Sequence, residues 1–449
     1  MNYSVNIRVH QYKETTLIIN EKLAEMLSLT KKKRGYISFG TEKTFVDIII
    51  SEEAEIKEIL LSESIIESMH IPTYLVFELR VKGNEIAIGP CIGILASRKE
   101  EVLSEKRLND MTINLLDYQR IGGAIIVFSL EKVDTENRLI EGHCYNSKTD
   151  SFESGTFPYP QAIYLKTNLS ESWENHFLSA IGDKVFNNYS FHKWEMNSWF
   201  SKEPDLIQYL PHTVLYKSKE SLIDMLQKYS IIYVKPIWGM KGNGVVRVSL
   251  EAEKLCFEYP MDEENIKLIP KDDEELEKNL EALFSPEECI IQQGLDLLKY
   301  EDGIVDFRCV MQKDETRKWT CRGIFARIGV KYSIVSNISR GGSALPGAEL
   351  IMKALSLDEV QTFILKEKMI DLCMKACRAL DKYGYNFGTL GLDLGVDKDK
   401  NVWLIEVNNR QPNNAIALKG NDTLLFYSLL AWPLYYAKSL AGFGDKEDL

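Results

Sequence analysis

The rhythm of apolar positions changes twice along the chain. Up to about residue 88, short β-type runs (TTLIIN, GYISFG, TFVDIII, TYLVFELRV, EIAIG) are cut by polar turns, and long helical patterns are few. Such runs between turn residues predict a small β-rich domain. From Gly89 the runs become continuously apolar: CIGILAS, then IGGAIIVFSL at 121–130 and QAIYLKT at 161–167, with helical spacing over 99–118. Buried strands alternating with helices predict an α/β unit on a parallel sheet. From about residue 191 the pattern is mixed α+β. Strands are expected at 231–237, 245–250, 290–295, 306–313, 320–328, 388–396 and 402–408, with a long amphipathic helix over about 357–383. Three domains follow, at 1–88, 89–190 and 191–442, and 449 residues are enough to give each a core.

Composition narrows the classes. The chain is 45% hydrophobic and 27% charged, as a folded globular protein is. Its start lacks a basic segment followed by an apolar core, and the longest apolar run near the end, LLFYSLLAWPLYYA, is short and contains Pro433. A cytoplasmic protein that does not enter the membrane is expected. The net charge of −12 argues against nucleic acid as a partner. Residues 251–288 hold fourteen Asp/Glu against four Lys, a net −10, so the acidity is one local, solvated face. The eight cysteines form no CxxC pair and lack nearby histidine, so they read as reduced small hydrophobes. The six histidines are scattered, without the spacing of a metal site.

Three groups of residues carry candidate chemistry. In the first, a strand delivers Lys235 and is followed by Gly239, Lys241, Gly242 and Gly244, after which a second strand leaves. Glycines let backbone N–H groups approach an anion, and the lysine adds charge. A Walker A loop is absent, because the loop leads into a strand. In the second, Asp393 lies in an apolar strand, and Glu406 and Asn408 sit two residues apart on one face of the next strand. Two carboxylates and an amide oxygen are hard ligands suited to magnesium, and carboxylates in such apolar strands call for a cation. In the third, Asp306 and Arg308 open one strand, Arg327 ends the next, and Asn337, Arg340, Gly341 and Gly342 follow. Arginines on neighbouring strands can clamp phosphate or carboxylate oxygens.

In this order (lysine, glycine loop, DxR, R, N, GG, D, ExN) the groups resemble the ATP-grasp superfamily over about 190–440. The chain is most similar to the YheC/YheD family of spore-coat-associated ATP-grasp proteins, with GPCIGILAS, GTFPYPQAIYLKT, VFNN and HKW extending the match. The resemblance implies a small N-terminal β-rich domain, an α/β pre-ATP-grasp domain and a two-lobed ATP-grasp domain. It implies ATP and Mg2+ as cofactors. Lys193 and Lys235 match lysines near the nucleotide phosphates, and the loop Gly239–Gly244 closes over the triphosphate. Gln292, Gln293 and Gly294 border the adenine, and Asp393, Glu406 and Asn408 hold magnesium. Arg308 and Arg327 lie near the transferred phosphate and acyl group, and Asn337 and Arg340 near the acceptor. One departure is His192, where the family has Asp before the first lysine. The implied function is an ATP-dependent carboxylate–amine ligase working through an acyl phosphate. The alternatives are a kinase on the same scaffold and a non-catalytic nucleotide-binding coat protein. The implied partners are small-molecule or peptide carboxylate and amine substrates, spore-coat proteins, and a second copy in a homodimer.

Overall fold

The computed structural model describes residues 3–11, 15–239, 242–261, 264–334, 341–410 and 412–444. The chain is a mixed α/β protein, and its described residues form four sheets. The first is a closed barrel of β1 (Tyr3–His10), β2 (Thr16–Ile19), β3 (Arg34–Phe39), β4 (Glu42–Ile50), β5 (Glu58–Ser62), β6 (Val76–Lys82) and β7 (Glu85–Gly89), ordered β1-β5-β2-β4-β3-β7-β6. Closure removes the exposed edges that short strands would otherwise present. The pairs β1–β5, β2–β4 and β3–β7 run parallel. Inward residues such as Leu17, Ile37, Phe39, Phe77 and Leu79 fill the barrel.

The second sheet holds β8 (Cys91–Ser97), β9 (Ala124–Ser129), β10 (Val133–Asp134), β11 (Leu139–Asn146), β12 (Ser151–Pro158), β13 (Ala162–Leu165) and β14 (Val185–Phe186). Its centre is parallel, β9-β8-β13-β14, and β9 is buried along its whole length, as a parallel strand covered on both faces should be. The expected helix over 99–118 is realised as an α-helix at Glu105–Thr112 flanked by short 3-10 turns, and a β11–β12 hairpin was not anticipated.

The last two sheets carry the candidate chemistry. The smaller is ordered β15-β20-β16-β17-β18-β19: β15 (Thr213–Leu215), β16 (Ile231–Pro236), β17 (Val246–Glu251), β18 (Lys254–Met261), β19 (Glu264–Leu268) and β20 (Cys289–Gln293). Helices Lys219–Lys228 and Asp273–Leu283 pack on it. The larger is ordered β24-β23-β22-β25-β26, with β21 (Lys299–Tyr300) beside β22. Its strands are β22 (Gly303–Lys313), β23 (Trp319–Ile328), β24 (Ser343–Pro346), β25 (Thr389–Val396) and β26 (Val402–Asn408).

Helix Glu359–Asp381 covers one face of the larger sheet. It is N-capped by Asp358, which exchanges hydrogen bonds with Gln361. Leu365, Met369, Leu372, Cys373, Ala376 and Leu380 recur at three- and four-residue spacing and form its buried stripe. Helix Thr423–Leu440 lies on the opposite face, where Leu425 and Leu429 meet Val310 and Phe325. Its C-terminal half packs on the second sheet instead, through Leu434, Tyr436 and Ala437. No helix among the described residues is long and apolar enough to cross a membrane.

Candidate active site

The strand register of the larger sheet sets the site. On β22, Asp306 lies opposite Arg327 of β23, and Arg308 opposite Asp393 of β25. On the far side of β25, Asp393 faces Glu406 and Gly391 faces Asn408, with an irregularity just after Asp393. Four neighbouring strands thus bring three carboxylates, two guanidinia and an amide together.

These groups are knitted by charge. Arg308 donates from Nε to Asp393 Oδ1 at 2.5 Å and from Nη2 to Oδ2 at 3.1 Å. Arg327 grips Asp306 with two hydrogen bonds of 2.5 Å and reaches Asp393 Oδ2 at 3.0 Å. Asn408 Nδ2 donates to the same Oδ2 at 3.1 Å and to the Gly391 carbonyl at 3.3 Å. Asp306, Arg308 and Asp393 are 6%, 7% and 5% exposed, so each charge needs its partner. Burial pushes the Asp393 carboxyl up, but Arg308 and Arg327 overcome this and hold it at about 2.

Near this network stand two cations, Lys235 on the smaller sheet and Lys193 at the start of a helix. Lys235 at the end of β16 donates to Gln292 Oε1 on β20 at 2.6 Å, and Gln292 Nε2 donates to Thr213 Oγ1 at 3.1 Å. Burial pulls the Lys235 ammonium down to about 8; Glu406 opposes that shift and Lys193 adds to it. Lys193 opens helix Lys193–Phe200. His192 caps this helix, accepting from the Glu195 N–H on its Nδ1 while Glu195 accepts from the His192 N–H. The histidine therefore does the capping an aspartate would do. Lys193 Nζ donates to the Gly239 carbonyl at 2.9 Å and lies 3.4 Å from Glu406 Oε1. In the loop between β16 and β17, Gly242 and Gly244 both have φ of +70°, and a Cβ at Gly244 would sit 2.8 Å from the Pro236 ring. Only glycine suits that turn.

The donor set fits a hard divalent cation. Asp393 Oδ1 receives a single hydrogen bond, Glu406 keeps an oxygen beyond its Lys193 contact, and Asn408 spends only its amide nitrogen. The remaining acceptors are all oxygens. A second acidic cluster, Glu251, Cys256 and Glu258, differs: Lys267 and Arg247 pair with its two carboxylates.

The family described as YheC/D like ATP-grasp matches residues 182–440, more than half of the chain. This chain belongs to the YheC/D-like ATP-grasp family. Among curated relatives, the endospore coat-associated protein YheD of Bacillus subtilis (strain 168) is 24% identical over 393 residues, covering 84% of each chain. YheC of the same strain is 22% identical over 225 residues, covering 50% of this chain and 61% of that protein. Among solved structures, the VanG D-Ala:D-Ser ligase from Enterococcus faecalis shares 11% identity and a TM-score of 0.43, over 77% of this chain and 98% of that one. The ATP-grasp ligase PsnB, complexed with minimal precursor, shares 14% identity and a TM-score of 0.43, over 77% and 99%.

Most of the residues singled out in the sequence of this YheC/D-like protein meet in two facing groups. Lys193, Lys235, Gly239 and Gln292 lie on one side, and Arg308, Arg327, Asp393, Glu406 and Asn408 on the other. Gln293 and Gly294 continue from Gln292, with Gln293 Oε1 accepting from the His212 N–H and the Gly294 N–H donating to the Ile231 carbonyl. Lys241, Asn337 and Arg340 lie outside the described residues. Sequence reading missed Asn187, a buried hub whose side chain accepts from the Gly388 and Thr389 N–H groups and donates to the carbonyls of Thr389 and Asn409. It also missed Arg410, although that residue follows Asn408 by only two positions.

Proposed function

We propose that this chain is an ATP-dependent carboxylate–amine ligase that works through an acyl phosphate, with ATP and Mg2+ bound between the smaller and larger sheets. The observation that carries this reading is the meeting of Lys193 with Glu406, while Glu406 and Lys193 both bear on the buried Lys235. A lysine whose ammonium is destabilised by burial, close to carboxylates that can take a metal ion, suits a polyanion that arrives with its own cation. Lys193 and Lys235 would neutralise phosphate oxygens, and the backbone of the loop through Lys241, Gly242 and Gly244 would cradle them. Gln292, Gln293 and Gly294 would border the base. Asp393, Glu406 and Asn408 would hold Mg2+, which supplies charge neutralisation on the phosphates when bound. Arg308 and Arg327 would orient Asp393 as well as face the transferred group.

In the reaction, a substrate carboxylate oxygen bonds to the γ-phosphorus as the bond to ADP breaks. An amine then attacks the acyl carbon, inorganic phosphate leaves, and the amine gives up a proton. Asn337 and Arg340 are assigned to the acceptor. Three domains, at 1–88, 89–190 and 191–442, and a homodimer belong to the same proposal. The coat association of the relatives supports a role in sporulation, with coat proteins as partners.

The test is calorimetric titration of ATP with and without Mg2+ on the wild type and on Glu406→Gln combined with Asn408→Ala. The expected result is Mg2+-dependent binding that weakens at least tenfold in the double variant, or about 1.4 kcal/mol. A folded wild type that binds no ATP would overturn the reading. Once substrates are found, hydroxylamine should trap an acyl hydroxamate. A stable phosphorylated product would assign a kinase.

A further inference from the structure

Beside the ATP site lies a cavity of about 180 Å³ that the mechanism above does not use. Its walls include Thr167 and Asn168 after β13, Glu174 of helix Glu171–Ile181, Trp238 of the glycine loop, and Arg410 just beyond β26. It is smaller than the ~300–1,000 Å³ of sites that take drug-sized ligands, so its ligand is small.

Arg410 is held ready. Its Nε donates to Ser190 Oγ at 2.5 Å, and Ser190 Oγ donates to Asn409 Oδ1 at 3.2 Å. Asn187 fixes the backbone beneath it through the Asn409 carbonyl, and the guanidinium lies 5.5 Å from the Trp238 ring centroid. Among the described residues, no carboxylate pairs with Arg410. Glu174, which lines the same cavity, likewise has no cationic partner among them, and burial followed by the nearby Glu171 raises its pKa. Two opposite charges thus line one cavity without pairing with each other. Arg410 is exposed and free to turn to a ligand, whereas Glu174 is partly buried and forfeits the cation its burial calls for. A ligand with a negative and a positive end would satisfy both, since a guanidinium binds a carboxylate through paired N–H groups.

We propose that this cavity binds a zwitterion, namely a free α-amino acid or a short peptide with both termini free, with its carboxylate on Arg410 and its ammonium on Glu174. The proposal deepens the ligase reading by naming the class of one substrate, yet the binding it asserts needs no ATP. The indole of Trp238, 52% exposed, supplies an apolar wall for the side chain.

The probes are the twenty coded L-amino acids and glycylglycine, observed by saturation-transfer NMR on the full-length protein, with and without Mg-ATP. The expected result is binding of at least one probe. Its methyl ester and its N-acetyl derivative should each bind at least tenfold more weakly. Arg410→Gln and Glu174→Gln should weaken the free probe at least tenfold, and Arg410→Lys should recover part of the loss. Should no probe bind at millimolar concentration, or the blocked derivatives bind as well as the free one, the proposal is wrong. The ester and N-acetyl comparisons use wild type, so they decide even where a variant folds poorly. ATP titration on the same samples separates the two ideas. Nucleotide binding without zwitterion binding removes this subsite alone, and zwitterion binding without nucleotide binding removes the ligase reading alone.

Discussion

The two sheets that meet around Glu406 carry charge in opposite ways. In the larger sheet, Asp306, Arg308, Arg327 and Asp393 satisfy one another across adjacent strands, with helices packed on both faces. In the smaller sheet Lys235 has a neutral amide as its hydrogen-bond acceptor and is held toward neutrality by burial. A closed ion network is architecture as much as chemistry, because it stands without a ligand. A buried cation facing a neutral amide costs stability, and a bound anion would relieve that cost. The comparison assigns a closed ion network to one sheet and a buried cation on a neutral acceptor to the other.

The largest expected effect tests the closed side. Asp393→Asn leaves Arg308 and Arg327 buried with one carboxylate fewer between them. Urea unfolding should show a loss of about 3–5 kcal/mol, the usual result of removing one member of a buried pair. The same group gives an acid signature. The folded pKa of Asp393, about 2, is below its unfolded value, so its stabilisation is present above about pH 4 and fades as pH falls toward 2. The Asn variant should lack that component. A loss under about 1 kcal/mol would mean the network is not what holds the sheet.

Lys235→Met tests the open side and should go the other way. Stability should stay level or rise, while ATP affinity falls at least tenfold, about 1.4 kcal/mol. The pH dependence has a defined sign. Lys235 titrates at about 8 when folded and near 10.4 when unfolded, so the unfolded chain keeps the extra proton between those values. Wild-type stability should therefore rise across that window relative to Lys235→Met, whose other titrating groups are the same. ATP binding should weaken as pH rises through about 8, because phosphate selects the ammonium form. If Lys235→Met loses several kcal/mol, Lys235 is a structural group and the contrast fails.

What the sequence disclosed divides along similar lines. Strands rich in apolar residues were legible as runs: the expected 306–313 and 388–396 fall on β22 and β25, buried along nearly their whole length, 402–408 falls on the part-buried β26, and the helix over 357–383 on Glu359–Asp381. Asp393, Glu406 and Asn408 stood out because polar groups interrupt an apolar strand at fixed spacing. Barrel closure was not legible, since parallel pairs such as β1–β5 join strands some fifty residues apart and leave no local mark. The β11–β12 hairpin was hidden because its second strand, SFESGTFP, is half-exposed and lacks a clean alternation. The pairing of Arg308 with Asp393 needed the register, and a shift of one residue would have put them on opposite faces. Asn187 and Arg410 were missed for a related reason, since their partners lie about 200 residues away.

The smallest effect concerns how the two sheets touch. Asn265 on β19 donates to the Tyr332 carbonyl at 2.6 Å, linking the outer strand of the smaller sheet to the loop that leaves β23. The contact is exposed, so water replaces it readily, and Asn265→Ala should change unfolding stability by no more than about 0.5 kcal/mol. If the smaller sheet is the part that responds to nucleotide, the same bond helps keep it against the larger one once ATP is inside. Its loss should then appear in kinetics: stopped-flow displacement of a fluorescent ATP analogue should show dissociation about twofold faster, the equivalent of that 0.5 kcal/mol, with association unchanged. An unaltered dissociation rate would mean that the sheets are held by their cores alone. The open side of the comparison would then be a matter of local charge, without movement of the sheet.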